Sequence, residues 1–279
     1  MSEQPTAKLI GSILDERWMK THLPIGNCEA HGDYHGLSCP KCEIQHSVTN
    51  AQVEAERARR EAALKALVYR SGIPPRFMTK TFDSFQTDTE QQARVLRICR
   101  AYADRFDDRL AAGGGLVMCG LPGTGKTHLA CAIGSALMQR GRSVLFINVI
   151  SAVDRVMETF RREKAETKRQ AIARFFEADL LILDEVGLQF GNDSEKVILF
   201  EIINGRYDRV LPTILISNLQ ENELGAYIGD RLIDRMREGG GVVLAFDWPS
   251  KRKEIKTASK DMPAWVQAAT KNPGQAGAG

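Results

Sequence analysis

Gly120-Leu121-Pro122-Gly123-Thr124-Gly125-Lys126-Thr127 has the spacing G-x-x-x-x-G-K-[ST]. Glycines so placed let a backbone curl until its N–H groups converge on phosphate oxygens. Lys126 is then positioned for β- and γ-phosphates, and the Thr127 hydroxyl for Mg²⁺. The run Gly120 to His128 is therefore the candidate phosphate-binding segment. Further on, Leu180-Leu181-Ile182-Leu183 ends in Asp184-Glu185. An apolar run of this kind suits a parallel strand buried on both faces, whose last side chains reach the ligand-binding edge of an open sheet. Asp184 is placed to hold the Mg²⁺ shell and Glu185 to polarise an attacking water as general base. Asn218 ends the apolar run Thr213-Ile214-Leu215-Ile216-Ser217 and could touch the terminal phosphate or the water; a turn residue bonding its own backbone is the other reading.

Asp184-Glu185-Val186-Gly187 also fits D-x-x-G of guanine-nucleotide hydrolases, but no N-K-x-D follows it. The acid pair favours hydrolysis by water over transfer to a second substrate. Cys28-x-x-His31 and Cys39-Pro40-Lys41-Cys42 form another constellation. Two chelating pairs on tight turns can close a tetrahedral structural Zn²⁺ site, with His35 as an alternative to His31. A reduced, metal-free turn region is the competing reading. Few apolar residues surround these positions, so folding there is expected to require the metal.

Outside these segments, 38 basic and 35 acidic residues leave a net charge of +3. Totals alone therefore imply no polyanion partner, and any nucleic-acid contact must come from local patches. No signal peptide and no apolar run of membrane-spanning length is read, which predicts a cytoplasmic protein with reduced cysteines. Residues 1 to about 27 read as a short helix and a flexible lead-in. From about 45 to 70 the spacing of Ala51, Ala55, Ala58 and Ala62 predicts a weakly amphipathic helix, a partner surface or simply a solvated one. Ser71-Gly72-Ile73-Pro74-Pro75 ends it, and a domain boundary is placed there. Beyond it, helices over about 88–111, 151–160, 167–176 and 194–209 alternate with strands at 116–119, 143–149, 180–183, 213–217 and 242–246. Alternation of this kind predicts an α/β fold with a mainly parallel sheet. The tail after 252 reads as flexible.

Gly120 to Ala130, Asp179 to Gly187, Gly229 to Met236 and the lead-in Ser71 to Phe77 together resemble the DnaC-like helicase loaders, a DnaC/IstB family of AAA+ ATPases. The likeness runs from about 71 to 252. It implies an AAA+ P-loop domain over 71–252 behind an N-terminal partner-binding region over 1–70. It further implies ATP hydrolysis at subunit junctions by self-association, binding of single-stranded DNA, and a replicative hexameric DNA helicase as partner. Arg235 matches the family's arginine finger, with Arg231 nearby; without the resemblance these residues read as a salt-bridged helix face. Arg252 matches a second arginine sensor. Phe160, Arg161, Arg162 and Lys164 fall where this branch contacts DNA, and an aromatic beside cations suits single strands; a buried Phe among solvated charges is the alternative. An IstB-like transposition helper on duplex DNA, or an adaptor using ATP only as a conformational ligand, are the competing functions.

Overall fold

The computed structural model describes residues 24–161, 166–187 and 193–251. The chain divides into two compact units, 1–65 and 66–279. In the first, strands β1 (Ile25–Cys28) and β2 (Gly32–His35) form an antiparallel hairpin. Ile25 therefore belongs to a strand, not to the flexible lead-in expected up to about 27. Pairing of Asn27 with Asp33 across the hairpin explains this: the Asn27 side chain donates to Asp33 Oδ1 at 2.5 Å. Helix α1 (Pro40–Arg70) follows, 31 residues long, starting at Pro40 rather than about 45. Proline suits the first turn of a helix, where its missing N–H costs nothing.

In the second unit, short helix α2 (Pro75–Met78) leads to α3 (Glu90–Asp104) and α4 (Phe106–Ala112). The sequence pattern reads the last two as one helix. The break lies at Arg105, at φ −104° and ψ 31°. It keeps Tyr102 and Phe106 in edge contact in the core while the Tyr102 hydroxyl reaches Gly114 O at 3.1 Å. Strand β3 (Leu116–Gly120) and helix α5 (Lys126–Gln139) flank the phosphate-loop motif. Then come β4 (Val144–Asn148), α6 (Val149–Arg161), α7 (Lys168–Ala173), β5 (Leu180–Val186), α8 (Asp193–Tyr207), β6 (Thr213–Ser217), α9 (Glu221–Ile228), α10 (Asp230–Arg237) and β7 (Val242–Phe246).

The five larger strands form one parallel sheet in the order β4-β5-β6-β3-β7. Apart from Asp184 and Glu185 at the end of β5, the three inner strands are buried and largely apolar, as helices covering both sides of a parallel sheet require. The edge β4 is partly closed by the chain entering the unit, where Phe146 N donates to Ser71 O at 2.6 Å. Because β3 neighbours β6 and β7 rather than β4, the carboxyl ends of β3, β5 and β6 open on one crevice, the usual binding edge of such sheets.

Arg206, fully buried, fastens the opposite edge. Its guanidinium donates to Thr213 Oγ1 and to the carbonyls of Phe175, Ala178, Asp179 and Pro212 at 2.6–3.1 Å. Burial pushes its pKa down to about 9, so it stays charged at neutral pH, with its donors facing oxygen. One side chain thus ties α8 to the turns that start β5 and β6. Arg206→Leu strands five buried acceptors, and a loss of roughly 3 kcal/mol or more is expected; a urea midpoint equal to wild type would refute the role.

Candidate functional site

The phosphate-loop motif is held at both flanks by backbone. Gly120 N donates to Leu219 O at 2.9 Å and Leu121 N to Phe246 O at 2.8 Å. Gly120 has φ +117°, and a Cβ there would lie 2.6 Å from Phe246 O. Gly125 has φ +99°, and a Cβ would meet the Phe85 ring at 2.6 Å. Only glycine tolerates both demands. Lys126, 4% exposed, donates through Nζ to Gly120 O at 2.8 Å and Leu121 O at 2.7 Å. The turn from β3 into α5 therefore packs an ammonium beneath a curl of amides.

Behind it stand the acids of β5. Thr127 Oγ1 donates to Asp184 Oδ2 at 3.0 Å, and Glu185 N donates to Asp184 Oδ1 at 2.8 Å. Burial first, and the neighbouring Glu185 charge after it, raise the Asp184 pKa; these two hydrogen bonds pull the other way. Successive side chains of a strand point to opposite faces, so an acid pair should split across the sheet. Here it does not. Leu183 pairs with Leu215 and Val186 with Ser217, so two residues of β5 oppose one of β6. The bulge puts Glu185 at φ +65°, a conformation strained for any residue with a side chain. Ser217 Oγ closes the register again by donating to Val186 O at 2.6 Å. Asp184 and Glu185 consequently line the same cleft, of about 430 Å³, as Pro122 to His128. Asn218, just beyond β6, lines it too. Gly120 and Leu121 sit behind it, as acceptors for Lys126.

The far wall went unread in the sequence. Arg76, Phe77, Lys80, Ser84, Phe85 and Gln86 come from the lead-in, and Lys251 from beyond β7. His128 turns toward this wall, its Nε2 2.9 Å from Thr81 O and 3.1 Å from Ser84 Oγ, its ring edge-on to Phe85. Burial lowers its pKa; because Thr81 O can only accept, Nε2 is the nitrogen that donates to it. Trp248 Nε1 donates to Thr124 O at 3.0 Å and Lys251 N to Gly123 O at 3.0 Å. A tryptophan directly after the last strand was the available signal for this clamp.

Other expected residues lie elsewhere. Arg235, half-buried on α10, stacks its guanidinium over Tyr207 at 5.0 Å and does not line the cleft. Arg231 is exposed on the same helix. Phe160 is 61% exposed near the end of α6. The side chain of Arg161 and all of Arg162, Lys164, Arg252 and the tail 253–279 lie outside the described residues.

In the first unit, Cys28, His31, Cys39 and Cys42 bring their ligand atoms within 4.8 Å of one another. Cys28 Sγ lies 3.6 Å from Cys42 Sγ, and His31 Nδ1 lies 3.3–3.6 Å from all three sulfurs. Edges of about 3.8 Å are what a tetrahedron with ~2.3 Å metal–sulfur bonds requires. The hydrogen bond with Cys28, burial and, after them, the charges of the neighbouring thiolates push the Cys42 thiol up to about 11. Donor set and spacing fit zinc. The side chain of His35, the alternative ligand, lies outside those described.

The model of the family described as IstB-like ATP binding protein matches residues 45–238. The chain belongs to that family. Among curated relatives of this IstB-like protein, the replicative helicase loader DnaC of Escherichia coli (strain K12) is 34% identical over 200 residues, covering 72% of this chain and 80% of the relative. DnaC of Buchnera aphidicola subsp. Acyrthosiphon pisum is 33% identical with the same coverage. A crystal structure of the DnaC helicase loader aligns with TM-score 0.55 at 23% identity, over 62% of this chain and all of the other. The replication initiator DnaA bound to AMPPCP and single-stranded DNA aligns at 0.53 and 22%, over 64% of this chain and 52% of that one. These structures share the AAA+ fold. Among the described residues no helix is long and apolar enough to cross a membrane.

Holding a half-buried carboxylate beside Glu185 costs stability. Asp184→Asn is expected to raise the apo thermal midpoint at pH 7, on the order of 1 kcal/mol. The raised pKa sets the sign. The charge penalty is complete above that value and absent below the unfolded one, so the gain should shrink on acidification. A gain that grows as pH falls would contradict it.

Proposed function

We propose that this chain is an ATP-dependent loader of a replicative hexameric DNA helicase onto single-stranded DNA. One observation carries the ATPase part: the Thr127 hydroxyl, the Asp184 carboxylate and the bulge-turned Glu185 share a cleft with the phosphate-loop amides. Residues Pro122 to Thr127 bind the phosphates, and Lys126 exchanges its carbonyl partners for phosphate oxygens. Thr127 and Asp184 hold Mg²⁺, which neutralises charge on the β- and γ-phosphates when bound. Glu185 takes a proton from a water that attacks the γ-phosphorus as the bond to the ADP oxygen breaks. Asn218 orients that water. Arg235, outside the cleft, acts on a neighbouring subunit's nucleotide, and Arg252 on its own. Phe160 with Arg161, Arg162 and Lys164 holds DNA.

The reading divides the chain into a partner-binding region over 1–70, the AAA+ domain over 71–252 and a tail over 253–279. The helicase assignment follows the relatives named replicative helicase loader DnaC. The family description favours a second reading, an IstB-like transposition helper, which would prefer duplex DNA.

Lys126→Ala should abolish ATP binding. Glu185→Gln should keep it and lose at least about 100-fold in turnover; normal turnover by Glu185→Gln removes the base assignment. The full chain should co-purify with the host's hexameric replicative helicase, whereas absence of that complex together with duplex preference selects the transposition reading.

Cys28, His31, Cys39 and Cys42 are proposed to hold one structural zinc. Elemental analysis should find about one zinc per chain, lost in Cys39→Ser. Chelation should erase the amide signals of the 25–35 hairpin and leave nucleotide binding intact; signals unmoved by chelation would refute a structural metal.

A further inference from the structure

The phosphate loop does not fix its own shape. Gly123 has φ +77° and Gly125 φ +99°, so Thr124 lies between two residues that turn either way at little cost. Peptides so placed rotate unless other groups hold them. Those groups come from beyond the last strand. Leaving β7, the chain from Phe246 to Lys251 grips the loop at three points. Phe246 O accepts from Leu121 N at 2.8 Å, Trp248 Nε1 donates to Thr124 O at 3.0 Å, and Lys251 N donates to Gly123 O at 3.0 Å. The strap is anchored in turn on the lead-in. Asp247 accepts from Gln91 Nε2, and Lys251 Nζ reaches Gln86 O at 2.6 Å and the Asp88 carboxylate at 2.7 Å.

Trp248 is 4% exposed and packs on Phe246, with ring centroids 4.9 Å apart. Filling that space needs only an apolar ring. An indole also carries a donor that must be satisfied when buried, and here it is spent on the phosphate loop. In a planar trans peptide the C=O and the N–H point in opposite directions. Holding the Gly123 and Thr124 carbonyls outward on the strap therefore turns the N–H groups of Thr124 and Gly125 the other way, toward the cleft that both residues line. The Thr124 hydroxyl is taken up by Leu121 O at 2.8 Å. Among the described residues neither amide has a protein acceptor.

We infer that Trp248, seconded by the backbone N–H of Lys251, is a positioning residue for phosphate binding: it holds the Thr124 carbonyl outward and so presets the Thr124 and Gly125 amides for the phosphates of a nucleotide. The inference rests on the nucleotide reading of the cleft. A loop whose donors are already aimed does not have to be ordered by its ligand. Amides of such a loop cradle the phosphates that a diphosphate and a triphosphate share, so both depend on the strap alike. Among the described residues no hydrogen bond joins the strap to Asp184 or Glu185, so its effect falls on binding rather than on attack at the γ-phosphorus.

Trp248→Phe in the full chain removes the donor and keeps a ring against Phe246. Calorimetry with Mg²⁺ should show AMPPCP and ADP each weakened about tenfold. The KM for ATP should rise by a similar factor, with kcat falling less than about twofold. In amide NMR spectra of the nucleotide-free protein, the Thr124 and Gly125 signals should shift or broaden in Trp248→Phe while those of β5 stay in place. Lys251→Pro, which lacks the N–H, should weaken both nucleotides more than Lys251→Ala, which keeps it, and this pair tests the strap even where Trp248→Phe does not fold. Unmoved Thr124 and Gly125 signals, a loss confined to kcat, or equal affinities of Lys251→Pro and Lys251→Ala overturn the assignment. Wild type that binds neither nucleotide sinks the cleft reading and this inference with it. Binding that Lys126→Ala abolishes but Trp248→Phe and Lys251→Pro leave untouched sinks this inference alone.

Discussion

The hydrogen bond from Thr127 to Asp184 joins the first turn of α5 to the end of β5 at 3.0 Å, and the cleft depends on it. It sets how far the phosphate loop stands from the acids. It also compensates part of the cost of a carboxylate that burial and Glu185 both drive toward its neutral form. A strand's pleat would send Glu185 to the other face. The bulge prevents this at the expense of a left-handed backbone at a residue with a side chain. Strain is stored where two adjacent acids line one cleft, and the pairing of β5 with β4 and β6 holds it in place.

The same economy governs the cations. Where the fold needs rigidity, basic groups are saturated, as Arg206 is by five oxygens and Arg109 by the carbonyls of Gly239 and Gly240. In the cleft, Lys126 likewise rests on loop carbonyls, and Arg76 lies over an aromatic ring.

The small N-terminal unit follows different physics. Ile25, Leu37, Ile44 and Val48 are all exposed, so apolar burial contributes little there. Its order comes from a hairpin and from four soft donors brought together at the start of α1. Where so little apolar surface is buried among the described residues, a metal staple is the usual substitute for a core.

Local features were legible in the sequence. The glycine-rich loop, the acid pair, the Cys/His set and the parallel strands each appear within a short window, because backbone freedom, apolar runs and chelate spacing are properties of neighbouring residues. Two errors were also local in origin: β1 starts inside an apparent lead-in, and α3 and α4 share an unbroken helical pattern that only the packing of Tyr102 against Phe106 interrupts. Everything that brings distant segments together was decided by tertiary structure. The bulge at Glu185 answers to its pairing with β6, the Trp248 clamp bonds across 124 residues, and the 76–86 wall becomes part of the site only by lying on α5. Such contacts satisfy hydrogen bonds and fill volume without imposing any period on the chain, which is why residue order alone specifies the chemical groups but not the cleft that unites them.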